Sequence, residues 1–322
     1  MTTIAYAAVE GWEQIPDGVT HPDVADVAVD SRDRVHVFSR TEPPLLVYEP
    51  DGTFVRSLGA GIFSDPHGLT IGPDDHLYCA DKGDHTVRKL TPDGEVVLTV
   101  GTPGHASGTG VGTNPRSVTE SAPPFNCPTK VAVLRSGHFY VSDGYGNARV
   151  HRFAPDGTLE ASWGEPGDGP SEFDVPHAVA VSPDEQRVYV ADRQNDRVQV
   201  FDPDGAFLEE WTDVSRPCGL AVDPAGNVFV GELGRRAGVE PMPVLDPDER
   251  PWARVSIFAP EGGLLARLGT TDPLAAGSFF AVHGLCLDSR GDLYVAELIW
   301  AAGGNRGAIP VTCPSLQKLA AA

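Results

Sequence analysis

Residues 176–211, PHAVAVSPDEQRVYVADRQNDRVQVFDPDGAFLEEW, contain four short runs rich in β-branched and aromatic residues, separated by polar turns. The runs are Val179–Val181, Val188–Ala191, Val198–Phe201 and Phe207–Trp211. The last turn is Pro203-Asp204-Gly205, in which proline presets φ and glycine accepts a positive φ. This stretch predicts a four-stranded antiparallel meander.

The same pattern recurs along the whole chain. The first run of each copy begins at Val27, Leu69, Val131, Val179, Leu220 and Leu285. The Pro-Asp-Gly turn returns at residues 50–52, 92–94 and 155–157, and as Pro-Glu-Gly at 260–262. Six copies of four strands, at roughly 40–65 residues per copy, predict an all-β, six-bladed β-propeller.

The sixth copy ends before a fourth strand, because its third run, Leu316–Leu319, lies close to the last residue, Ala322. The N-terminal segment Ile4–Trp12 offers a spare strand. We expect it to complete the last blade and close the ring, which removes exposed sheet edges. The whole chain, residues 1–322, is then predicted to be a single propeller domain.

Composition limits the possible partners. The chain has 24 Lys and Arg against 45 Asp and Glu, for a net charge of −21. A chain this acidic repels phosphate backbones, so nucleic acid is not an expected partner. No apolar run approaches the roughly 18 residues that span a bilayer. The five cysteines are scattered and no secretory leader is visible, which predicts a cytoplasmic protein without a disulfide scaffold.

Three histidines occupy one position of the repeat. The residue two places before each first run is Ala25, His67, Thr129, His177, Cys218 and His283 in turn. Innermost strands line the central channel, and alternate blades are about 120° apart by the symmetry of a six-bladed ring. Histidine at a strand start is most often structural, but three in alternate blades predict three imidazoles converging on one divalent transition metal. Zinc is the favoured ion, and other first-row divalent metals also fit.

A second set of polar residues follows the second run of each blade. We expect Arg40, Tyr145 and Arg193 to point toward the mouth of the channel, although solvated loop residues are the alternative. Arginine binds carboxylates through its planar fork, and a tyrosine held beside a metal ion and an arginine can act as a base. The insertions Gly101–Pro124, Gly234–Trp252 and Ile299–Thr312 are predicted to border this mouth.

The corresponding acids and Cys218 have other expected roles. Asp81, Asp143 and Asp192 are expected to cap turns and hold strands together. Glu232 and Glu297 replace aspartate in that pattern and are considered as further acids near the site. Cys218 is either a fourth metal ligand or a small buried residue.

Several motifs resemble those of peptidyl-α-hydroxyglycine α-amidating lyases, which are six-bladed propellers of the NHL type. They are Phe38-Ser39-Arg40, Pro66-His67-Gly68-Leu69, residues 141–150 (VSDGYGNARV), residues 173–177 (FDVPH) and residues 190–197 (VADRQNDR). The resemblance implies zinc ligands at His67, His177 and His283. It also implies a catalytic tyrosine at Tyr145 and two active-site arginines at Arg40 and Arg193.

The resemblance further implies an activity. Members of that family cleave the N–C bond of an α-hydroxyglycine and release an amide and glyoxylate. A small molecule or short peptide is then the expected substrate, with Tyr145 as general base and the two arginines binding its carboxylate.

The sequence departs from the family pattern at two sites. Gly146 stands where a cysteine would form a disulfide beside the tyrosine, so no bridge is expected there. A structural calcium would use the carbonyls of Val27 and Leu69 and an aspartate at the position of Gly284. The missing carboxylate argues against calcium.

Two alternatives stay open at this stage. One is another metal-dependent lyase or hydrolase that acts on a small hydroxy acid, hemiaminal or lactone. The other is a non-catalytic NHL scaffold that binds proteins on one face, a function that the three aligned histidines and the acidic charge argue against.

Overall fold

The computed structural model of the 322-residue chain describes residues 4–111, 118–234 and 252–322. Within these residues the chain forms six four-stranded antiparallel sheets arranged as the blades of a β-propeller. This confirms the predicted fold class. Five blades run outward in simple chain order, from the innermost strand beside the channel to the outermost strand.

The strands follow the repeats read from the sequence. Blade 1 comprises Val24–Val29, Val35–Ser39, Leu45–Tyr48 and Phe54–Leu58. Blade 2 comprises Pro66–Ile71, Leu77–Asp81, Thr86–Leu90 and Val96–Val100. Blade 3 comprises Pro128–Val133, Phe139–Asp143, Arg149–Phe153 and Leu159–Trp163. Blade 4 comprises Pro176–Val181, Val188–Asp192, Arg197–Phe201 and Phe207–Trp211. Blade 5 comprises Pro217–Val222, Val228–Glu232, Arg254–Phe258 and Leu264–Leu268.

Blade 6 is assembled from both ends of the chain. Its strands are Val282–Leu287, Leu293–Glu297, Leu316–Ala321 and, outermost, Tyr6–Ala8. The N-terminal strand runs antiparallel to Leu316–Ala321, with Tyr6 opposite Ala321. The predicted ring closure is therefore present, although the closing strand is shorter than Ile4–Trp12.

Little regular structure lies outside the blades. The described residues add a short parallel pair, Glu165–Pro166 with Glu172–Phe173. They also add the helix Ile299–Ala302 and the 3₁₀ turns Arg193–Asn195 and Gly304–Arg306. None of the helices described is long and apolar enough to cross a lipid bilayer.

The core lies between neighbouring blades, where apolar faces of successive sheets meet. At the closure point, Trp12 is buried between Tyr48 of blade 1 and Tyr294 of blade 6, with ring centroids 5.9 Å and 5.2 Å away. Its indole nitrogen donates to the carbonyl oxygen of Pro50 at 3.0 Å. Burial of an aromatic side chain of this kind contributes roughly 2–3 kcal/mol, so Trp12 stabilises the junction that closes the ring.

Candidate metal centre and active site

Every innermost strand carries a β-bulge at its second residue. In blade 2, Pro66 pairs with Asp81 and Gly68 pairs with Ala80, so His67 is the extra residue. The same shift leaves His177 extra in blade 4 and His283 extra in blade 6. A bulge breaks the strict alternation of a strand and can redirect one side chain. Here it marks the repeat position at which all three histidines lie.

The three imidazoles converge as the sequence predicted. Their ring centroids are 4.7–4.8 Å apart, and one nitrogen from each lies within 4.8 Å of the others. All three side chains are almost completely buried. Burial, reinforced by nearby positive groups that include Arg40, holds the pKa of each imidazole well below its usual value. The residues are therefore neutral, as metal ligands must be.

The other ring nitrogen of each histidine is held by a backbone carbonyl from the next blade. Nδ1 of His67 lies 2.7 Å from the oxygen of Thr129, and Nδ1 of His177 lies 2.9 Å from that of Cys218. Nδ1 of His283 lies 2.6 Å from the oxygen of Ala25. A carbonyl can only accept, so Nδ1 carries the proton and the lone pair of Nε2 faces the channel.

This arrangement fits a divalent transition metal. The Nε2 atom of His283 is buried and has no protein partner, a costly state unless a cation or water satisfies it. Three neutral imidazoles with room for a further ligand form the usual donor set of a catalytic zinc site. The three residues can therefore hold a metal ion, and the donor set favours none of zinc, cobalt or iron decisively.

Tyr145 lies directly against this cluster. Its hydroxyl is 2.9 Å from Nε2 of His177 and 3.4 Å from Nε2 of His67. A guanidinium nitrogen of Arg193 donates to the same hydroxyl at 3.0 Å, and the guanidinium carbon lies 5.0 Å from the ring centre. Arg193 is buried at the start of its 3₁₀ turn. The phenol oxygen therefore links the three-histidine cluster to a fixed cation.

Arg40 approaches the site from blade 1. Its Nε lies 3.4 Å from a carboxylate oxygen of Asp65, and its side chain is about one-fifth exposed. The structure therefore brings together five predicted residues, His67, His177, His283, Tyr145 and Arg193. It places Arg40 beside them on the Asp65 side of the mouth.

Sequence reasoning missed one more cation. The ammonium of Lys82 forms an ion pair with Asp65 and lies 5.6 Å from the ring centre of Tyr145. Lys82 directly follows Asp81, as Arg193 follows Asp192 and Arg40 follows Ser39. Its repeat position is therefore the signal that could have identified it. The mouth thus gathers Arg40, Lys82 and Arg193 in a chain whose net charge is −21.

The acids at the ends of the second strands anchor loops. Carboxylates of Asp143, Asp192 and Glu232 each accept a backbone N–H from the segment leading into the innermost strand of their own blade, at 2.6–2.8 Å. Glu297 accepts the N–H groups of Phe280 and Ala281 in the same way. Glu232 and Glu297 therefore share the structural role of the aspartates.

The loop that carries Tyr145 is held by hydrogen bonds instead of a disulfide. None of the five cysteines forms a disulfide. A side chain at Gly146 would place its Cβ 2.1 Å from the Asn126 side chain, and the N–H of Gly146 donates to the Asn126 carbonyl at 2.9 Å. Thr109, from the first insertion, donates its hydroxyl to the carbonyl of Gly146 at 2.5 Å. That insertion therefore supports the loop that carries Tyr145.

The other insertions are described only in part. Residues 112–117 of the first and 235–251 of the second lie outside the described residues. In the third insertion, the backbone N–H of Ala301 donates to the side-chain carboxylate of Asp23 at 3.0 Å. The backbone N–H of Arg40 donates to the main-chain carbonyl of the same residue at 3.2 Å. The short helix of this insertion is therefore tied to the residue that binds the backbone of Arg40.

The residues present do not fit a structural calcium. The carbonyl of Leu69, one of the expected calcium ligands, accepts a hydrogen bond from Nζ of Lys130 at 2.7 Å. An ammonium group therefore lies where a calcium ion would have to approach this oxygen. Position 284 is a glycine, and a Cβ there would lie 2.1 Å from a carboxylate oxygen of Asp26. No aspartate can therefore occupy position 284 while Asp26 keeps its place.

Comparison with known proteins agrees with the repeat pattern. Residues 63–90, 125–153 and 173–201 match the NHL repeat, and these segments carry His67, Tyr145, His177 and Arg193. The chain is 33% identical to human NHL repeat-containing protein 3 over 314 residues, covering 92% of this chain and 82% of that protein.

A second relative carries the name of an enzyme. The chain is 33% identical to a probable peptidyl-alpha-hydroxyglycine alpha-amidating lyase of Caenorhabditis elegans over 202 residues, covering 58% of this chain and 53% of that protein. Among solved structures, a gluconolactonase from Xanthomonas campestris matches with a TM-score of 0.62 at 18% identity. The match covers 94% of this chain and 87% of that one, and it reflects the shared fold.

Proposed function

This chain belongs to the family of NHL repeat proteins, and we propose that it acts as a metal-dependent lyase on an α-hydroxyglycine-type carbinolamide. The products would be an amide and glyoxylate. One observation carries the proposal: the Tyr145 hydroxyl contacts both a buried three-histidine cluster and a buried arginine. The similarity to amidating lyases supports the same chemistry.

His67, His177 and His283 would hold the metal. When bound, the ion would supply Lewis-acid activation of the substrate hydroxyl. Burial of the three ligands excludes bulk water from that side of the site, which strengthens electrostatic interactions there.

Tyr145 is the residue that would move the proton. Cleavage removes the proton of the substrate hydroxyl, turns its C–O bond into the carbonyl of glyoxylate and breaks the C–N bond. The electron pair of that bond goes to nitrogen, which then gains a proton to become the amide. The Tyr145 oxygen lies beside the histidine nitrogens and accepts a hydrogen bond from Arg193, so it is within reach of a hydroxyl bound at the cluster.

The cations of the mouth would bind the carboxylate. Arg193 is fixed against Tyr145, whereas Arg40 and Lys82 share the carboxylate of Asp65. A substrate carboxylate could replace Asp65 as the partner of either group. Charge-assisted hydrogen bonds of this kind would hold the substrate in one orientation, and Arg193, fixed beside the Tyr145 hydroxyl, would counter the charge that develops in the transition state.

The test is release of glyoxylate from α-hydroxyhippurate by the metal-loaded protein. Tyr145→Phe is expected to retain metal and lose about 10²- to 10⁴-fold in kcat, the usual contribution of a general base. The matched control is Tyr140→Phe, because Tyr140 donates its hydroxyl to the Pro203 carbonyl at 2.8 Å, outside the channel. Unchanged turnover in Tyr145→Phe would eliminate Tyr145 as the base.

Metal content is measured in the same preparations. His177→Ala is expected to abolish stoichiometric metal binding, whereas His138→Ala, which alters a half-buried histidine near Ser136, should keep it. Glyoxylate release from metal-free protein would contradict the proposal. Hydrolysis of lactones without glyoxylate release would instead identify the protein as a hydrolase, and absence of metal would favour a scaffold.

A further inference from the structure

A buried ion pair lies on the channel wall next to the histidine cluster. The carboxylate of Asp26, in blade 1, accepts the backbone N–H of its neighbour Val27 at 2.9 Å and that of Leu69, in blade 2, at 2.7 Å. The ammonium of Lys130, in blade 3, is paired with the same carboxylate and donates to the Leu69 carbonyl. The pair therefore joins the innermost strands of three successive blades.

Both partners are shielded from water. The side chain of Asp26 is 3% exposed and that of Lys130 is 13% exposed. They line the same small void as His67, His177 and His283. Gly284 of blade 6 completes the fit, because any side chain there would collide with Asp26.

The pair is also adjacent in sequence to the groups that orient two metal ligands. Ala25 precedes Asp26, and its carbonyl accepts the Nδ1 proton of His283. Thr129 precedes Lys130, and its carbonyl accepts the Nδ1 proton of His67. A shift of either strand would therefore move the acceptor of one histidine.

We propose that the Lys130 ammonium is the permanent cation of this channel, in place of a structural calcium, and that with Asp26 it positions His67 and His283 for the metal. A covalently tethered ammonium needs no ion from solution, so the blades are joined at any calcium concentration. The positioning of His67 and His283 rests on the metal site of the proposed function, whereas the replacement of calcium by Lys130 does not.

The first experiment uses the wild-type protein. Protein freed of calcium on a chelating resin and reloaded with one equivalent of zinc is melted with calcium from zero to about 5 mM, above the weakest protein sites. The melting temperature is expected to stay within about 1 °C, with no calcium retained after gel filtration, because no binding means no linkage to stability. A retained equivalent of calcium, or a rise of several degrees, would overturn the proposal.

The second experiment measures zinc affinity by competition with a chromophoric chelator, without substrate. Lys130→Met should weaken zinc binding by roughly 10- to 100-fold, the usual cost of losing support behind metal ligands. Lys130→Arg, which keeps the charge, should retain most of the affinity. Lys89→Met is the matched control, since Lys89 pairs with Asp74 at 2.8 Å and lies in the third strand of blade 2, away from the innermost strands that line the channel.

The outcomes separate this inference from the proposed function. Zinc affinity within about twofold of wild type in Lys130→Met would refute the positioning role. If that variant does not fold, Asp26→Asn decides the same point, since it keeps the shape and removes the charge. Wild-type protein that binds no zinc would refute the proposed metal site. The calcium titration would still decide whether Lys130 stands in place of a structural calcium.

Discussion

At the scale of single residues, the mouth of the channel contrasts in charge with the rest of the molecule. Arg40, Lys82 and Arg193 gather there although the chain carries a net charge of −21. Asp65 pairs with two of these cations and leaves Arg193 to Tyr145. A local positive field attracts small anions, repels cations and leaves neutral molecules largely unaffected, so it would favour an anionic substrate.

Lys82→Met is expected to raise KM for α-hydroxyhippurate by roughly 3- to 10-fold and to leave kcat within about twofold, because Lys82 contacts no reacting atom and contributes uniform binding. Steady-state kinetics at low and high salt would measure this, and the effect should shrink as salt screens the charge.

Lys89→Met is the control for this substitution. Lys89 also pairs with an aspartate and lies 5.1 Å from the centre of a tyrosine ring, that of Tyr78, but outside the mouth. Equal KM values in the two variants would show that Lys82 does not bind the substrate.

At the scale of one strand, the bulge of blade 2 lies in close contact with blade 3. Gly68 follows His67, and a Cβ on Gly68 would lie 2.2 Å from the Thr129 carbonyl oxygen, the acceptor of His67. Real Cβ atoms do not approach an oxygen so closely. The absence of a side chain at position 68 therefore sets the distance at which blade 3 can hold a ligand of blade 2.

Gly68→Ala should lower the free energy of unfolding by about 1–3 kcal/mol, as for other overpacked sites, and should weaken zinc binding as well. Thermal melts and chelator competition would measure both effects. Gly263→Ala is the control, because a Cβ at position 263 would meet no atom within 4 Å. Lower stability with unchanged zinc affinity would mean that the Thr129 carbonyl does not position His67.

The candidate metal ligands were easier to find in the sequence than the groups that hold them in place. His67, His177 and His283 could be found because side chains at one repeat position are visible in the letters. The groups that accept their Nδ1 protons could not be found in this way. These acceptors are the backbone carbonyls of Ala25, Thr129 and Cys218, and every residue has a backbone carbonyl. The ion pair of Asp26 and Lys130 was missed for another reason. Its partners are 104 positions apart. They occupy the same repeat position, but the other four blades have glycine or alanine there, so no pattern of charge recurs.

At the scale of the whole molecule, strands from the two ends of the chain meet in blade 6 and close the ring. Tyr6–Ala8 covers the edge of Leu316–Ala321, and the Tyr6 ring packs edge-on against Phe229 of blade 5 at 6.2 Å. The order of blades and this closure were both predictable, because the fourth strand was missing from the last repeat and present at the start of the chain.

Deletion of residues 1–9 should lower the melting temperature by several degrees and produce concentration-dependent dimers, because it uncovers a strand edge with free N–H and C=O groups. Differential scanning fluorimetry and gel filtration at two concentrations would detect both changes. A synthetic peptide of residues 4–12 should reverse them. A monomer with wild-type stability after the deletion would show that Tyr6–Ala8 is dispensable for closure.

The alternation of imidazole and carbonyl around the channel restricts how this propeller can evolve. Blades 2, 4 and 6 each present a histidine, and blades 3, 5 and 1 each present the carbonyl that holds the histidine of the blade before. Two alternating roles can be continued around a closed ring only when the number of units is even. Duplication or loss of a single blade would place two units of one kind side by side and interrupt the alternation. Preserving the alternation therefore requires that blades be gained or lost in pairs.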